Sequence, residues 1–584
     1  MRTLVTETIN SIGKSVVVQG WVNSRRDHGG LVFVDLRDHT GLLQLTIDAT
    51  KEGFHAAEEL RDEYVIEATG LVKERDEHLK NSNIPTGGIE LVVENLRILN
   101  KSEPLPILVN TNQKVNEEHR LKYRYLDLRR QKMQDMLTKR AQYYATIRQY
   151  METNAFTEIA TPILANSSPE GARDFLVPSR VHSGKFYALP QAPQQFKQLL
   201  MVGGVNRYYQ IATCFRDEDP RADRLYGDFY QLDLEMAFVE DGETVRQTVE
   251  PLIIDLVTTF AGKSLAESKI PRITYQEALD TYGSDKPDLR FDMHLVDLTK
   301  ELESCGFGVF TNAIKANGVV KAICAKSQFS RSQIDTFTDI AKQNGAGGLP
   351  YMTVEDGKLH SSIAKFFSDE ELNTIQKTTH AQDGDTIFFG ADRKTVVNAA
   401  LGVLRSHLGD VLGLKDDNTV ALAWIVDFPF YEYDEKTKKL DFGHNPFSMP
   451  KGGLGTLENE DKLSIVADQF DMVMNGYEIC SGAVRNHNPE VMYKVFDVLG
   501  YKKSYVESKF GAMLQAFKYG APPHAGCAFG LDRIFMVLTN EDNIREVVAF
   551  PKNGSGVDVM MGSPSTVDET QLEELNIRII ESKD

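Results

Sequence analysis

The chain has 584 residues, 41% hydrophobic and 26% charged, the balance of a globular protein rather than a disordered or fibrous one. Its 65 Lys and Arg stand against 84 Asp and Glu, a net charge of −19. That excludes a simple basic nucleic-acid binder, though not an enzyme with a local basic surface. No apolar run approaches the ~18 residues of a membrane span, and the N-terminal MRTLVTETINSIGK has no apolar export core, so a cytoplasmic protein without a membrane segment is expected. The five cysteines lie far apart with no CxxC, against a disulfide framework or a thiolate zinc site.

Residues 1–104 read as strands with one helix. Ser15–Arg26, Leu31–Arg37 and Leu42–Asp48 are β-branched or alternating runs divided by Gly29-Gly30 and Gly41. A short helical stretch follows at 54–63, then strands at 64–74 and 88–99. Three strands, a helix and two strands is the order of an OB-fold barrel, which binds single-stranded nucleic acid by stacking bases on aromatics beside a basic groove. Arg25, Arg26, Phe33 and Gln44 suit that task; a core Phe33 with ordinary surface arginines is the competing reading.

Pro104 and Pro106 mark a linker, 105–140. Residues 114–148 hold ten Lys/Arg against four Asp/Glu, helical from Leu121. Mixed helices and strands fill 141–285. Residues 286–408 have another texture, with Gly-rich turns, two short helical patterns and no clustered chemistry, and read as an inserted domain. Strands and chemistry resume over 409–555, and 556–584 is a polar C-terminal extension.

Three constellations carry chemistry. In Arg207–Val239 two strands flank a charged loop, and period-2 alternation puts Phe229, Gln231, Asp233 and Glu235 on one face of the second strand, with Tyr230, Leu232, Leu234 and Met236 on the other. An aromatic, an amide and two acids on one face suggest a site floor, and Arg216, Asp217, Glu218, Arg221 and Arg224 crowd beside it. In Ala521–Asn540 a small-residue strand runs into Gly530, and Leu531-Asp532-Arg533 opens a helix. Arginine there opposes the helix dipole unless an anion sits at that end. In Phe470–Asn488, Asp471 and Glu478 are acids on apolar segments, two carboxylates of the kind Mg²⁺ takes together with phosphate oxygens and water. Arg485 follows, placed to hold a carboxylate. Each constellation alone is also compatible with ordinary surface charge. No GxxxxGK[ST], GxGxxG, HExxH or GxSxG is present, so a bound nucleotide needs another scaffold.

With these residues in place, the chain closely resembles the bacterial-type aspartyl-tRNA synthetases, class II aminoacyl-tRNA synthetases, over nearly its whole length. Residues 154–166 with Pro162 resemble motif 1, FRDED at 215–219 through Glu235 resembles motif 2, and GLDR at 530–533 resembles motif 3. PEGARDF at 169–175, ALPQAPQQFKQLLM at 188–201 and HNPFSMP at 444–450 are similar to the aspartate branch. The resemblance implies a multidomain α+β protein: an N-terminal OB-fold β-barrel that binds the anticodon, a class II antiparallel-sheet catalytic domain at 141–285 and 409–555, and an inserted α/β (GAD-like) domain at 286–408. It also implies a homodimer through the motif 1 stretch.

The resemblance further implies roles at matching positions. Arg216, Glu478 and Arg533 would be catalytic. Arg216 would hold the α-phosphate and Arg533 the γ-phosphate of ATP, Phe229 would stack under adenine, and Glu218 would accept from its amino group. Asp217, Glu478, Gly530, Leu531 and Asp532 complete the implied ATP site. Asp471 and Glu478 would hold Mg²⁺. Glu170, Gln194, Gln195, Phe196, Lys197, Arg216, Asp233, His444 and Arg485 would enclose L-aspartate, with Arg485 and Lys197 on its side-chain carboxylate and Asp233 and Glu170 on its ammonium. Arg26, His28, Phe33 and Gln44 would read the anticodon. His28, where members that accept only tRNA(Asp) tend to carry Leu, is followed by Gly29-Gly30 and implies charging of tRNA(Asn) as well as tRNA(Asp); at the second discriminating position the relaxed members often carry Gly and this chain has His78, so the match is half complete. The chain departs from many members at Ala192, Leu225 and Asn445, and no ATP contact is carried to Leu225.

The activity so implied is that of an ATP-dependent aminoacyl-tRNA ligase. Aspartate attacks the α-phosphate, pyrophosphate leaves, and the aspartyl group passes to the 3′ end of tRNA. A class II-like, ammonia-using asparagine synthetase shares the motifs and is the alternative, but it has no use for an anticodon barrel. A non-catalytic RNA-binding module conflicts with Arg216, Glu478 and Arg533.

Overall fold

The computed structural model describes residues 1–50, 54–111, 113–167, 172–434 and 437–580. The chain divides into two units, residues 1–138 with 558–562 and residues 139–557 with 563–584.

In the first unit, strands Ser15–Asp27, Leu31–Asp38, Gly41–Asp48, Val65–Glu74 and Ile89–Asn100 close a barrel. The fifth strand lies between the third and the fourth, and helix Phe54–Glu59 precedes the fourth. Alternation decides what the barrel buries. Val32, Val34 and Leu36 fill the interior with Leu43, Leu45, Ile47, Ile66 and Leu91. Phe33 therefore points outward, aligned with Arg26 and Thr46 on the adjacent strands, while Asp35 aligns with Gln44. The Arg26 guanidinium lies 3.1 Å from Asp35 and 3.5 Å from Gln44. The turn before Phe33 is left-handed at Gly29 and Gly30, φ 65° and 111°, which only glycine takes readily. His28 meets the Phe33 ring edge-on at 5.5 Å. His78 is exposed on the 3₁₀ turn Glu77–Leu79. Arg25 is a correction: its Nε donates to the Ala57 carbonyl at 2.9 Å, so it braces the helix instead of joining the outer face.

The basic stretch also differs from expectation. Its helix starts at Glu117, not Leu121, because the Asn116 side chain accepts from the Glu118 N–H at 2.9 Å and caps it. Arg120, Arg124 and Arg130 converge on the buried Asp127. A buried carboxylate needs such partners, so part of the local positive charge is consumed inside the unit.

In the second unit an eight-stranded sheet runs Arg272–Thr274, Leu422–Pro429, Val466–Met474, Tyr477–Val484, His524–Gly530, Gly227–Ala237, Arg207–Arg216, Thr157–Glu158. It is antiparallel except at its two edges. One face is apolar: Leu232, Leu234, Met236, Phe470, Met472, Cys527 and Phe529 are all buried. Tyr143 of helix Gln131–Thr153 and Phe535 of helix Leu531–Leu538 pack together at 5.3 Å. The opposite face is polar, and its register is continuous: Gln210, Asp233, Ala528, Ser481 and Asp471 form one row across five strands.

Residues 286–408 carry a five-stranded sheet, Leu295–Asp297, Val319–Ala325, Thr386–Asp392, Tyr351–Glu355 and Lys358–His360. Phe388 and Phe389 enter separate cores on its two sides. Four helices, Gly308–Lys315, Arg331–Gln343, Asp369–Thr378 and Lys394–Val411, are formed here, against two expected. Asp369–Thr378 buries only Ile375, so its apolar stripe is faint; the Ser368 capping box supplies the start signal.

Candidate active site

The polar face of the eight-stranded sheet floors a cavity of ≈ 400 Å³. Two backbone devices aim its side chains. A β-bulge between Met472 and Val473 on one strand and their partners on the next sets Val473 opposite Glu478 instead of Ile479. One extra residue turns Glu478 onto the face that carries Asp471 and Ser481, a use of bulges common at sites. The second device is helix Gln194–Val202, where positions i, i+3 and i+4 place Gln194, Lys197 and Gln198 on one buried face.

Four charges sit in the floor. Lys197 Nζ lies 2.6 Å from Asp233 Oδ1 and 3.6 Å from Glu235 Oε2. Arg485 bonds Glu235 through Nε at 2.9 Å and Nη2 at 3.2 Å, and Nη2 also donates to the Gly526 carbonyl at 3.0 Å. All four side chains are almost fully buried. Burial raises the Asp233 carboxyl, offset in part by Lys197. Glu235 lies below the usual carboxylate range, because Arg485 and Lys197 together outweigh its own desolvation. Gly526 is required beside it: a Cβ there would stand 2.2 Å from Glu235 Oε2.

Across the cavity Asp471 and Glu478 form an acidic pair. Burial first, then the neighbouring Glu478, push the Asp471 carboxyl well above the usual range. A divalent cation would relieve that repulsion, and two carboxylates leave room for waters and phosphate oxygens, so the pair fits Mg²⁺. Among the described residues no group of three or more His, Cys, Asp or Glu forms a larger metal cluster.

The cationic end is built by the loop after strand Arg207–Arg216 and by helix Leu531–Leu538. The Arg216 guanidinium is 5.1 Å from the Phe229 ring centre, and its buried Nε has no hydrogen-bond partner among the described residues. Arg533 Nη2 pairs with Asp223 at 3.1 Å, and Nη1 donates to the Glu478 carbonyl. Glu218 is paired with Arg224 at 2.7 Å.

Of the residues expected at the site, Gln194, Lys197, Arg216, Glu218, Phe229, His444, Asp471, Glu478, Arg485, Gly530, Asp532 and Arg533 line this cavity. Asp233 is buried beneath Lys197 and does not line it. Gln195, Phe196, Asp217 and Leu531 are also absent from its wall: the first two lie off the Gln194–Lys197 face, Asp217 accepts from the Tyr226 hydroxyl at 3.3 Å, and Leu531 is buried. Glu170 lies outside the described residues. Lys197 and Arg485, expected on the substrate carboxylate, already carry resident anions in Asp233 and Glu235, as buried cations require. One expectation is corrected. Asp532 is committed to structure: it pairs with Arg140 and accepts the Tyr230 N–H at 3.0 Å. The departing positions Ala192, Leu225 and Asn445 all line the cavity.

Sequence reasoning missed Gln198, Asp223, Arg140 and His524, and saw Glu235 without giving it a part. The i+4 spacing from Gln194 to Gln198 and the period-2 spacing from Gly530 back to His524 were available signals. Nothing local points from Arg533 to Asp223.

A family model described as tRNA synthetases class II (D, K and N) matches residues 116–554, and one described as an OB-fold nucleic acid binding domain matches residues 16–99. The aspartate–tRNA(Asp/Asn) ligase of Chlorobium phaeobacteroides (strain BS1) is 47% identical over 569 residues, 97% of this chain and 93% of the relative. The protein of the same name from Pelagibacter ubique (strain HTCC1062) is 48% identical over 579 residues, 98% and 97% of the two chains. Among solved structures, the aspartyl tRNA synthetase from Entamoeba histolytica aligns with a TM-score of 0.57 at 18% identity, over 95% of this chain and 92% of that one. The asparaginyl-tRNA synthetase of Pyrococcus horikoshii complexed with asparaginyl-adenylate gives 0.56 at 19%, over 94% and 98%. At such identities the structural likeness shows the fold.

Proposed function

The chain belongs to the class II tRNA synthetases of the D, K and N group, and from that premise we propose that it is an aspartate–tRNA ligase acting on both tRNA(Asp) and tRNA(Asn). The observation that carries this reading is the polar sheet face, which puts an acidic pair, a four-charge floor and an arginine-lined end around one cavity. The names of the relatives at 47–48% identity support the same substrates.

L-Aspartate lies over Lys197, Arg485, Gln194 and His444. ATP lies toward Arg216, Phe229 and Arg533. Arg216 is 5.1 Å from the Phe229 ring centre, so a phosphate held by its guanidinium is adjacent to a base stacked on that ring. The aspartate α-carboxylate is already ionised and attacks the α-phosphate without a general base. Pyrophosphate leaves, and the terminal ribose hydroxyl of tRNA then takes the aspartyl group. The protein supplies position and charge stabilisation. Mg²⁺, held by Asp471 and Glu478, would neutralise phosphate charge. Aspartate is chosen over asparagine by donors: Lys197 and Arg485, whose charge Asp233 and Glu235 already balance, still offer only N–H groups, which a carboxylate accepts and the NH₂ end of an amide cannot.

The barrel face with Arg26, His28, Phe33 and Gln44 is the anticodon surface, and His28 with His78 governs the choice of tRNA. Residues 286–408 are an inserted domain. The protein is cytoplasmic and works as a homodimer through 154–166, where Ile163 and Leu164 are 49% and 53% exposed.

Aminoacylation of purified tRNA(Asp) and tRNA(Asn) in parallel tests the proposal. Charging of both is expected. ATP-dependent formation of asparagine from aspartate and ammonia without charging would favour the synthetase paralogue, and charging of tRNA(Asp) alone would restrict the range.

A further inference from the structure

Beneath the cavity a hydrogen-bond chain runs from the backbone to the wall. His524 Nδ1 lies 2.8 Å from the Pro522 carbonyl oxygen. Its Nε2 lies 3.0 Å from the Gln198 carboxamide nitrogen. Gln198 Oε1 lies 3.1 Å from the Gln194 carboxamide nitrogen. His524 and Gln198 are 0% exposed and Gln194 is 6% exposed, so water cannot substitute freely for any member.

We propose that His524 is a positioning residue for the amino-acid subsite, fixing through Gln198 which end of the Gln194 carboxamide faces the cavity. The proposal rests on the reading of this cavity as the aspartate site. Its logic is one of donors and acceptors. A carbonyl only accepts, so His524 Nδ1 carries the proton. In a neutral imidazole Nε2 must then accept, so Gln198 turns its NH₂ toward it. That leaves Gln198 Oε1 as the acceptor for the Gln194 NH₂. Gln194, which lines the cavity, is left with its own Oε1 as the free end. An acceptor at that wall suits the substrate's ammonium group; a donor there would repel it.

Burial holds the imidazole below its ordinary pKa. The groups around it are Glu235, which favours the proton, and Arg485 and His487, which oppose it; the Phe517 ring at 6.1 Å adds only apolar contact. Protonation would turn Nε2 into a donor. Gln198 and Gln194 would then have to flip in turn, and the Gln194 NH₂ would face the cavity.

The experiment is aspartate-dependent ATP–pyrophosphate exchange from about pH 8 down to about pH 5, reaching well below histidine's ordinary pKa of ~6.5 because burial lowers that of His524. In the wild type KM for aspartate should rise on the acid side while KM for ATP stays flat, and His487→Gln should keep that rise. Gln198→Leu breaks the chain and should raise KM for aspartate about tenfold at every pH, the usual worth of a hydrogen bond to a charged group. Gln198→Glu can accept from both neighbours and should restore a low KM while abolishing the acid rise. Nitrogen shifts of ¹⁵N-histidine-labelled protein should show His524 protonated at Nδ1 only. An Nε2–H tautomer, or an unchanged aspartate KM in Gln198→Leu, would overturn the inference. A wild type without any aspartate-dependent exchange would instead overturn the reading of the cavity, and the nitrogen shifts would still decide the tautomer.

Discussion

Arg485 and Glu235 form a forked ion pair inside the sheet, with contacts of 2.9 and 3.2 Å and side chains 3% and 0% exposed. The pair engages Nε and Nη2 and not Nη1, so the guanidinium is held rigid by one anion while Arg485 still lines the cavity. A lysine would keep the charge but lose the fork. Arg485→Lys should therefore lower kcat/KM for aspartate activation about 100-fold, the loss of charge-assisted bonds worth ~3 kcal/mol. KM for ATP should change little. Exchange kinetics with each substrate varied separately check this, and wild-type aspartate kinetics would remove Arg485 from the subsite.

The acidic pair makes a prediction in stability. The Asp471 carboxyl is raised in the folded state by burial and by Glu478. A carboxyl raised on folding costs stability once pH exceeds its unfolded value, and the cost grows until pH passes the folded value. At neutral pH without divalent cations Glu478→Gln should thus melt above the wild type by about 1–3 °C. The gap should close as pH falls to about 4, where the unfolded-state carboxyls take up protons. The same variant should need more Mg²⁺ for exchange. Melting curves against pH and a Mg²⁺ titration measure both, and a lower melting temperature at neutral pH contradicts the repulsion.

Asp532 is read as a scaffold group because Arg140 and the Tyr230 N–H consume it. Arg140→Gln and Asp532→Asn should each destabilise by about 3–5 kcal/mol, the usual cost of stranding one partner of a buried pair. The double variant should lose clearly less than the sum. Denaturant unfolding of the four proteins closes the cycle, and additive losses would show that the pair is not coupled.

On the barrel, His28 stands edge-on to Phe33 beside Arg26 and Gln44. A flat polar ring can stack or bond with either a pyrimidine or a purine, whereas a branched apolar side chain excludes one shape. His28→Leu should reduce charging of tRNA(Asn) about tenfold more than charging of tRNA(Asp), the worth of one lost base contact at ~1–3 kcal/mol. Parallel aminoacylation rates test it, and an unchanged ratio would take the choice away from this loop.

Period-2 alternation in Phe229–Glu235 made one polar face visible in the sequence, and the 530–533 turn placed Arg533 at a helix start. Those features are local: each depends only on how neighbouring residues point along a strand or helix. The barrel strands were legible for the same reason, as was the outward Phe33 as one of two alternatives. What the sequence could not contain is pairing. Glu478 shares the face of Asp471 only because a bulge shifts the register by one residue, and register is a property of two strands. Arg485 meets Glu235 across 250 positions and Arg140 meets Asp532 across 392. Those partners are decided by the sheet order and by the rule that a buried charge must find its counterpart, and both exist only once the strands are assembled.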